Sequence, residues 1–101
     1  MIERRSDRRS PVSQEVMLSQ GAHFRLCQLK ELSMSSAFLD IGWGVLTRTT
    51  PVDLMLTLPA GAQSHVFHLP AEVTRVDKKG TAVRFRSLDD ATRRALSIFL
   101  S

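Results

Sequence analysis

Between Val52 and Leu58 the chain reads VDLMLTL, and every second residue is a large aliphatic: Val52, Leu54, Leu56 and Leu58. In an extended strand successive side chains point to opposite faces, so a period of two covers one whole face. A helix would throw the same four side chains onto two opposite sides. The segment therefore predicts a strand in a sheet that buries one side, with Pro59 and Gly61 closing it.

The same period recurs along much of the chain. VSQEVML sets Val12, Val16 and Leu18 on one face, and SQGA after it reads as a hairpin turn. HFRLCQLKELS alternates through Phe24 and Leu26 and then slips phase near Cys27 and Gln28, which suits a bulge in a curved sheet. AFLDI is a short apolar strand ended by Gly42-Trp43-Gly44. VFHLPAEVTRV is longer, and Pro70 inside it argues for an edge or bulged position because proline has no N–H to give a ladder. DKKG turns the chain into TAVRF, where Thr81, Val83 and Phe85 share a face.

The last stretch changes period. SLDDATRRALSIFL places Leu88, Ala91, Ala95, Ile98 and Phe99 on one side of a helix. Ser87 with Asp90 three residues later reads as a capping box, and Asp89 and Asp90 suit the positive end of the helix dipole. Six strands at short spacing followed by one helix predict a mainly β fold. The expected form is a small six-stranded antiparallel β-barrel plugged or covered by a C-terminal α-helix. The composition breaks near residue 11, so residues 1–11 are expected to form a flexible arginine-rich lead-in and residues 12–101 a single domain.

Charge and chemistry narrow the function. The formal net charge is +4, which draws the chain toward phosphates, acidic proteins or anionic lipid without choosing among them. The single cysteine, Cys27, has no partner within the chain and reads as a small buried hydrophobe. No apolar run approaches the ~18 residues of a membrane helix, and no secretory leader is visible, so a cytoplasmic location is expected. His65 and His68 stand three apart, pointing to opposite faces of a strand, and His23 is alone, so neither a metal site nor a catalytic histidine is indicated. The serines lack a histidine–carboxylate arrangement, and no glycine-rich phosphate loop is present. The chain is not expected to be an enzyme. Trp43 could stack a base, but it also reads as a lid over one barrel end, and aromatic residues are only 6% of the chain.

The arginine run remains. MIERRSDRRSPV packs Arg4, Arg5, Arg8 and Arg9 into six positions, with Arg5 and Arg9 four apart. It is either a solvated terminus or a clamp for an anion. A second segment, LKELSMSSAFLD, offers the other half of a pocket: the Glu31 carboxylate, the Ser33 hydroxyl, and the small Ser35 and Ser36 where backbone N–H groups could approach a ligand.

These two segments together resemble the PilZ domain, a family of bacterial receptors for cyclic di-GMP. The family signature is R-x-x-x-R before the first strand, then [DN]-x-S-x-x-G leading into an apolar strand. Arg5-Ser6-Asp7-Arg8-Arg9 matches the first and ELSMSSAFL stands where the second belongs. The AEVTRVDKKGTAVRF hairpin and the helix opening SLDD are similar to the family's last strands and final helix. Two positions depart: Glu31 replaces the Asp or Asn, and Ser36 replaces the glycine. If that glycine serves a positive φ, serine costs on the order of 1 kcal/mol; if it serves clearance, the hydroxymethyl crowds the base.

The resemblance implies a site for cyclic di-GMP. Arg5 and Arg9 would take guanine edge and phosphate, since a guanidinium fork matches both. Glu31 would accept from the opposite guanine edge, and Ser33 would bond guanine or phosphate. Arg4 would be an auxiliary, found in the family where two stacked ligand molecules bind, and Arg8 a phosphate contact or solvated. The implied role is a receptor that orders its arginine segment on the ligand and signals to an effector protein that the sequence does not identify. Two other readings stay open: a degenerate PilZ domain that works as a protein-interaction module, in pilus or motility assembly for example, and a basic barrel that binds nucleic acid without sequence preference. No specific nucleic-acid partner is expected.

Overall fold

The computed structural model of the chain describes residues 10–41 and 49–101. Six antiparallel strands, β1 (Ser10–Gln20), β2 (His23–Leu32), β3 (Ser36–Leu39), β4 (Pro51–Ala60), β5 (Gln63–Val76) and β6 (Thr81–Phe85), are followed by α1 (Asp90–Leu100). Hydrogen bonding closes them into a barrel in the order β1-β2-β3-β6-β5-β4. Closure rests on a short ladder in which Met17, Leu18 and Ser19 pair with Met55, Leu54 and Asp53.

The alternation that predicted β4 is the alternation that fills the barrel. Val52, Leu54, Leu56 and Leu58 are all buried, and they meet Leu18, Leu29, Leu69 and Val83 in one core. Two hairpins turn on Gly21 (φ 60°) and Gly61 (φ 69°), left-handed conformations that glycine adopts without a side-chain clash. The β5–β6 turn is held by Asp77, whose Oδ1 accepts from the N–H groups of Lys79 (2.8 Å) and Gly80 (3.2 Å). Pro70 lies opposite Asp53 of β4, one residue before the β6 ladder begins at Ala71. Its carbonyl accepts from Arg86 N–H at 2.8 Å. The missing N–H therefore faces the side where β6 has already ended, a local edge, as the sequence required.

Three expectations shift. Along β2 the pairing with β3 becomes irregular between Leu29 and Glu31, later than Cys27 and Gln28. What changes near Cys27 is the face: Phe24 and Leu26 point out of the barrel, while Cys27 and Leu29 point in. The helix is capped by Asp89, not Ser87; its carboxylate Oδ1 accepts from Thr92 N–H at 2.8 Å. Ser87 instead takes a left-handed turn (φ 39°) that swings the chain from β6 toward the helix. Finally, the helix buries Thr92, Ala95 and Leu96, with Leu88 and Phe99 beside them, while Ala91 and Ile98 face outward. The true stripe is 88-92-95-96-99, which follows the 3.6-residue period once Thr92 is admitted to it.

Candidate functional site

The segment ELSMSSAFL forms the corner between β2 and β3, and Ser33 is its pivot. Ser33 is 0% exposed. Its N–H donates to Ser36 O (2.9 Å), and its Oγ accepts from Ser35 N–H (3.2 Å) and Ser36 N–H (3.0 Å). The two hydroxyls, Ser33 Oγ and Ser36 Oγ, lie 3.0 Å apart. A serine that folds back on the next turn of its own chain is a familiar local motif, and here it fixes the corner's shape. Phe85 N–H locks the corner to the last strand by donating to Ser35 O at 2.8 Å.

Ser36 opens β3 and has no positive φ. Serine at the signature's glycine position is therefore unstrained, and of the two costs considered for it only clearance remains. Its Cα partner is Arg84 on β6, whose exposed guanidinium projects from the same outer face. Glu31 stands on that face too: it pairs with Pro11 on one side and Phe38 on the other, and Phe38 is two residues from Ser36. The structure thus gathers Glu31, Ser33 and Ser36 at one corner, with Ser33 inside and the other two outside. Ser10 pairs with Leu32, so β1 starts next to this corner, and Ser10 and Pro11 already belong to the sheet. Arg4, Arg5, Arg8 and Arg9 lie outside the described residues, as does Trp43.

Beside the corner run two connected grooves. One, about 340 Å³, is lined by Met34, Ser35, Phe85, Ser87, Leu88 and Arg93. The other, about 390 Å³, is lined by Met34, Asp90, Arg93, Arg94, Ser97 and Ile98. Met34 and Arg93 are common to both. The cationic groups Arg84, Arg93 and Arg94 were not singled out from the sequence, because only the packing of α1 and β6 brings them to this corner. Their one local signal was the adjacent arginine pair on the helix.

Elsewhere the chemistry is quiet. Burial, with help from the nearby Asp40 carboxylate, pushes the Cys27 thiol up to about 11, which suppresses thiolate chemistry. Among the described residues no group of His, Cys, Asp and Glu is arranged to hold a metal ion. His68 Nδ1 meets Asp53 Oδ2 at 3.0 Å on the outer surface of the barrel, away from the corner. No helix among the described residues is long and apolar enough to cross a membrane.

The profile of the PilZ domain matches residues 3–100. The chain belongs to the PilZ domain family. PilZ domains are in general receptors for cyclic di-GMP and serve as binding and adaptor modules. Two solved structures share the fold. The Bacillus subtilis inhibitor of motility, MotI/DgrA, superposes with a TM-score of 0.80 at 15% identity, over 98% of this chain. This chain spans half (50%) of that protein's length. The PilZ domain of CeSA from a cellulose-synthesising bacterium gives a TM-score of 0.71 at 19% identity, over 92% of this chain and 94% of that one. No curated protein matches the chain in sequence. The residues expected from the sequence to carry the family signature, Glu31, Ser33 and Ser36, lie together at the barrel corner.

Proposed function

We propose that this PilZ domain is a receptor for cyclic di-GMP that draws its arginine segment against the β2–β3 corner and so presents a new surface to an effector protein, without catalysis. The observation that carries the reading is the pairing of Ser10 with Leu32. Arg9 is bonded to Ser10, and Arg5 is four residues further. At up to ~3.5 Å per residue, both guanidiniums have the reach to meet a ligand resting at Glu31 and Ser36. The ligand brings two phosphates and two guanines, both suited to guanidinium forks, and the exposed Arg84 adds positive charge on the same face. Ordering the segment costs about 1–2 kcal/mol per fixed backbone residue, so micromolar affinity is expected. A segment that gains order on binding is also a means of signalling.

Calorimetric titration with cyclic di-GMP, competed with GMP, cyclic GMP and single-stranded DNA, tests the reading. The expected result is saturable micromolar binding that only the cyclic dinucleotide displaces. Arg5→Ala or Arg9→Ala should each lose about 1–3 kcal/mol, the worth of one bidentate contact. A variant that binds like the parent removes that arginine from the site. Absence of uptake at millimolar ligand rejects the receptor reading.

The second reading is a PilZ domain that binds a protein without nucleotide. The inward-turned Ser33 hydroxyl and the Ser36 side chain in place of glycine favour it. It predicts no calorimetric heat with cyclic di-GMP. Weak binding of any oligonucleotide, lost steeply as salt rises, would mark the third possibility, a nonspecific basic barrel.

A further inference from the structure

Single exposed hydrophobic residues are ordinary; a contiguous group of them is not. Of the four large hydrophobics that stand most exposed, Phe24 (65%), Leu26 (57%) and Val66 (60%) line one groove of about 410 Å³, together with Met17, Met55 and Glu15. The groove lies on the outside of the barrel, across β2, β1, β4 and β5. The registers make it continuous: Leu26 pairs with Met17, Met17 with Met55, and Met55 with His68, one outward row across four strands. Phe24 continues the apolar surface on one side of this row and Val66 on the other.

Its size limits what fits. Three gaps between strands at ~4.8 Å and three rows ~6.8 Å apart give a footprint of roughly 14 by 14 Å. A stable dimer buries about 800 Å² on each partner, several times that footprint. One helix, about 10–12 Å across, covers it. The barrel is closed, so this region offers no free strand edge and the occupant must pack on the face.

Charge says which helix. The chain carries 14 Lys and Arg against 10 Asp and Glu. On this face the balance is reversed. Glu15 lies two residues from Met17 along β1, and Asp53 lies two residues from Met55 along β4, on opposite edges of the patch and about 14 Å apart. Asp53 is 37% exposed and shares a hydrogen bond with His68. The nearest lysine on β2, Lys30, lies beyond Gln28, and Arg25 projects to the other side of the strand. An acidic rim also opposes an anionic lipid surface. We infer that this face is a docking site for an amphipathic helix of a partner protein, whose apolar side covers Phe24, Leu26 and Val66 and whose basic residues, about nine or ten positions apart, meet Glu15 and Asp53.

The inference stands apart from nucleotide binding, so its test uses the full chain without nucleotide. Two designed helical peptides of about 14 residues share one leucine stripe; one carries lysines toward its ends and the other glutamates. Chemical-shift mapping and fluorescence anisotropy follow binding. The lysine peptide should shift resonances of Met17, Phe24, Leu26, Met55 and Val66 and bind at least roughly tenfold more tightly than the glutamate peptide. Phe24→Ser with Leu26→Ser should lower that affinity by roughly tenfold or more. Glu15→Lys with Asp53→Lys should reverse the preference, and this pair decides the matter if the serine variant does not fold. Equal binding of both peptides, shifts elsewhere on the barrel, or no shifts at millimolar peptide overturns the inference. So does sedimentation showing self-association that Leu26→Ser abolishes, which would make the occupant a second copy.

Discussion

The Ser33 hydroxyl accepts from two backbone N–H groups and lies against a second hydroxyl, so its first effect on any ligand is through the shape of the turn. Ser33→Ala should lower stability by about 1 kcal/mol, because water can replace the lost acceptor at the exposed side of the turn. It should also weaken cyclic di-GMP binding in the same calorimetric titration. Ser36→Gly should leave binding unchanged or strengthened while costing about 0.5–1 kcal/mol of strand stability. Marked weakening by Ser36→Gly would mean that the signature is aligned to the wrong residues. The serines were legible because a short motif carried them, but the inward turn of Ser33 was not, since it depends on the pairing of β2 with β3. Gly80 shows the same limit. A Cβ there would collide with the Leu39 carbonyl and lie 2.8 Å from the Phe38 ring, a contact made across 41 residues of chain. Gly80→Ala should cost roughly 3 kcal/mol, at the upper end of ordinary overpacking, and lower the Tm by more than about 10 °C in a thermal melt.

At the scale of elements, the helix is the clearest case of a pattern read correctly and placed slightly wrong. Its period is visible in the sequence, but the expected stripe leaves out Thr92 and takes in Ala91 and Ile98, so it is set off by part of a turn. Thr92 fits the core side because its side chain, as well as its N–H, hydrogen-bonds to the capping Asp89. The Thr92 side-chain bond and, after it, the N–H bond hold the Asp89 carboxyl below the usual carboxylate range. A carboxyl that gives up its proton more readily in the folded chain adds stability above its unfolded pKa, and the contribution fades as pH falls through the folded value. Acid should therefore loosen the start of α1 first. Asp89→Asn should keep the cap and flatten this part of the acid dependence, whereas Asp89→Ala should lower the Tm at neutral pH as well. Circular dichroism melts across the acid range check both. If Asp89→Asn retains the full acid dependence, other carboxylates govern it. Strand β2 illustrates the reverse problem. Phe24 and Leu26 have the period of a core strand, but they are exposed, because alternation identifies a strand without saying which face is covered.

For the whole molecule, strand count, barrel form and final helix followed from local pattern, but which strands close the barrel did not. The β1–β4 and β3–β6 pairings join segments far apart in sequence, and nothing local announces them. Closure constrains the proposed signalling. Every strand has neighbours on both sides, so reshaping the barrel would break ladders, whereas a contact added at the corner of residues 33–36 breaks none. A ligand that binds only the folded chain stabilises it by RT ln(1 + [L]/Kd), about 2.7 kcal/mol at one hundred times Kd. Amides that exchange only through global unfolding, such as those of Leu54, Leu69 and Val83 in the core, should then all slow by the same factor with cyclic di-GMP. Added protection beyond that factor should be confined to the corner and the residues before Ser10. Hydrogen exchange with and without ligand separates the cases. A factor that differs from strand to strand would mean that the barrel itself rearranges, and the signal would then pass through the sheet instead of along its rim.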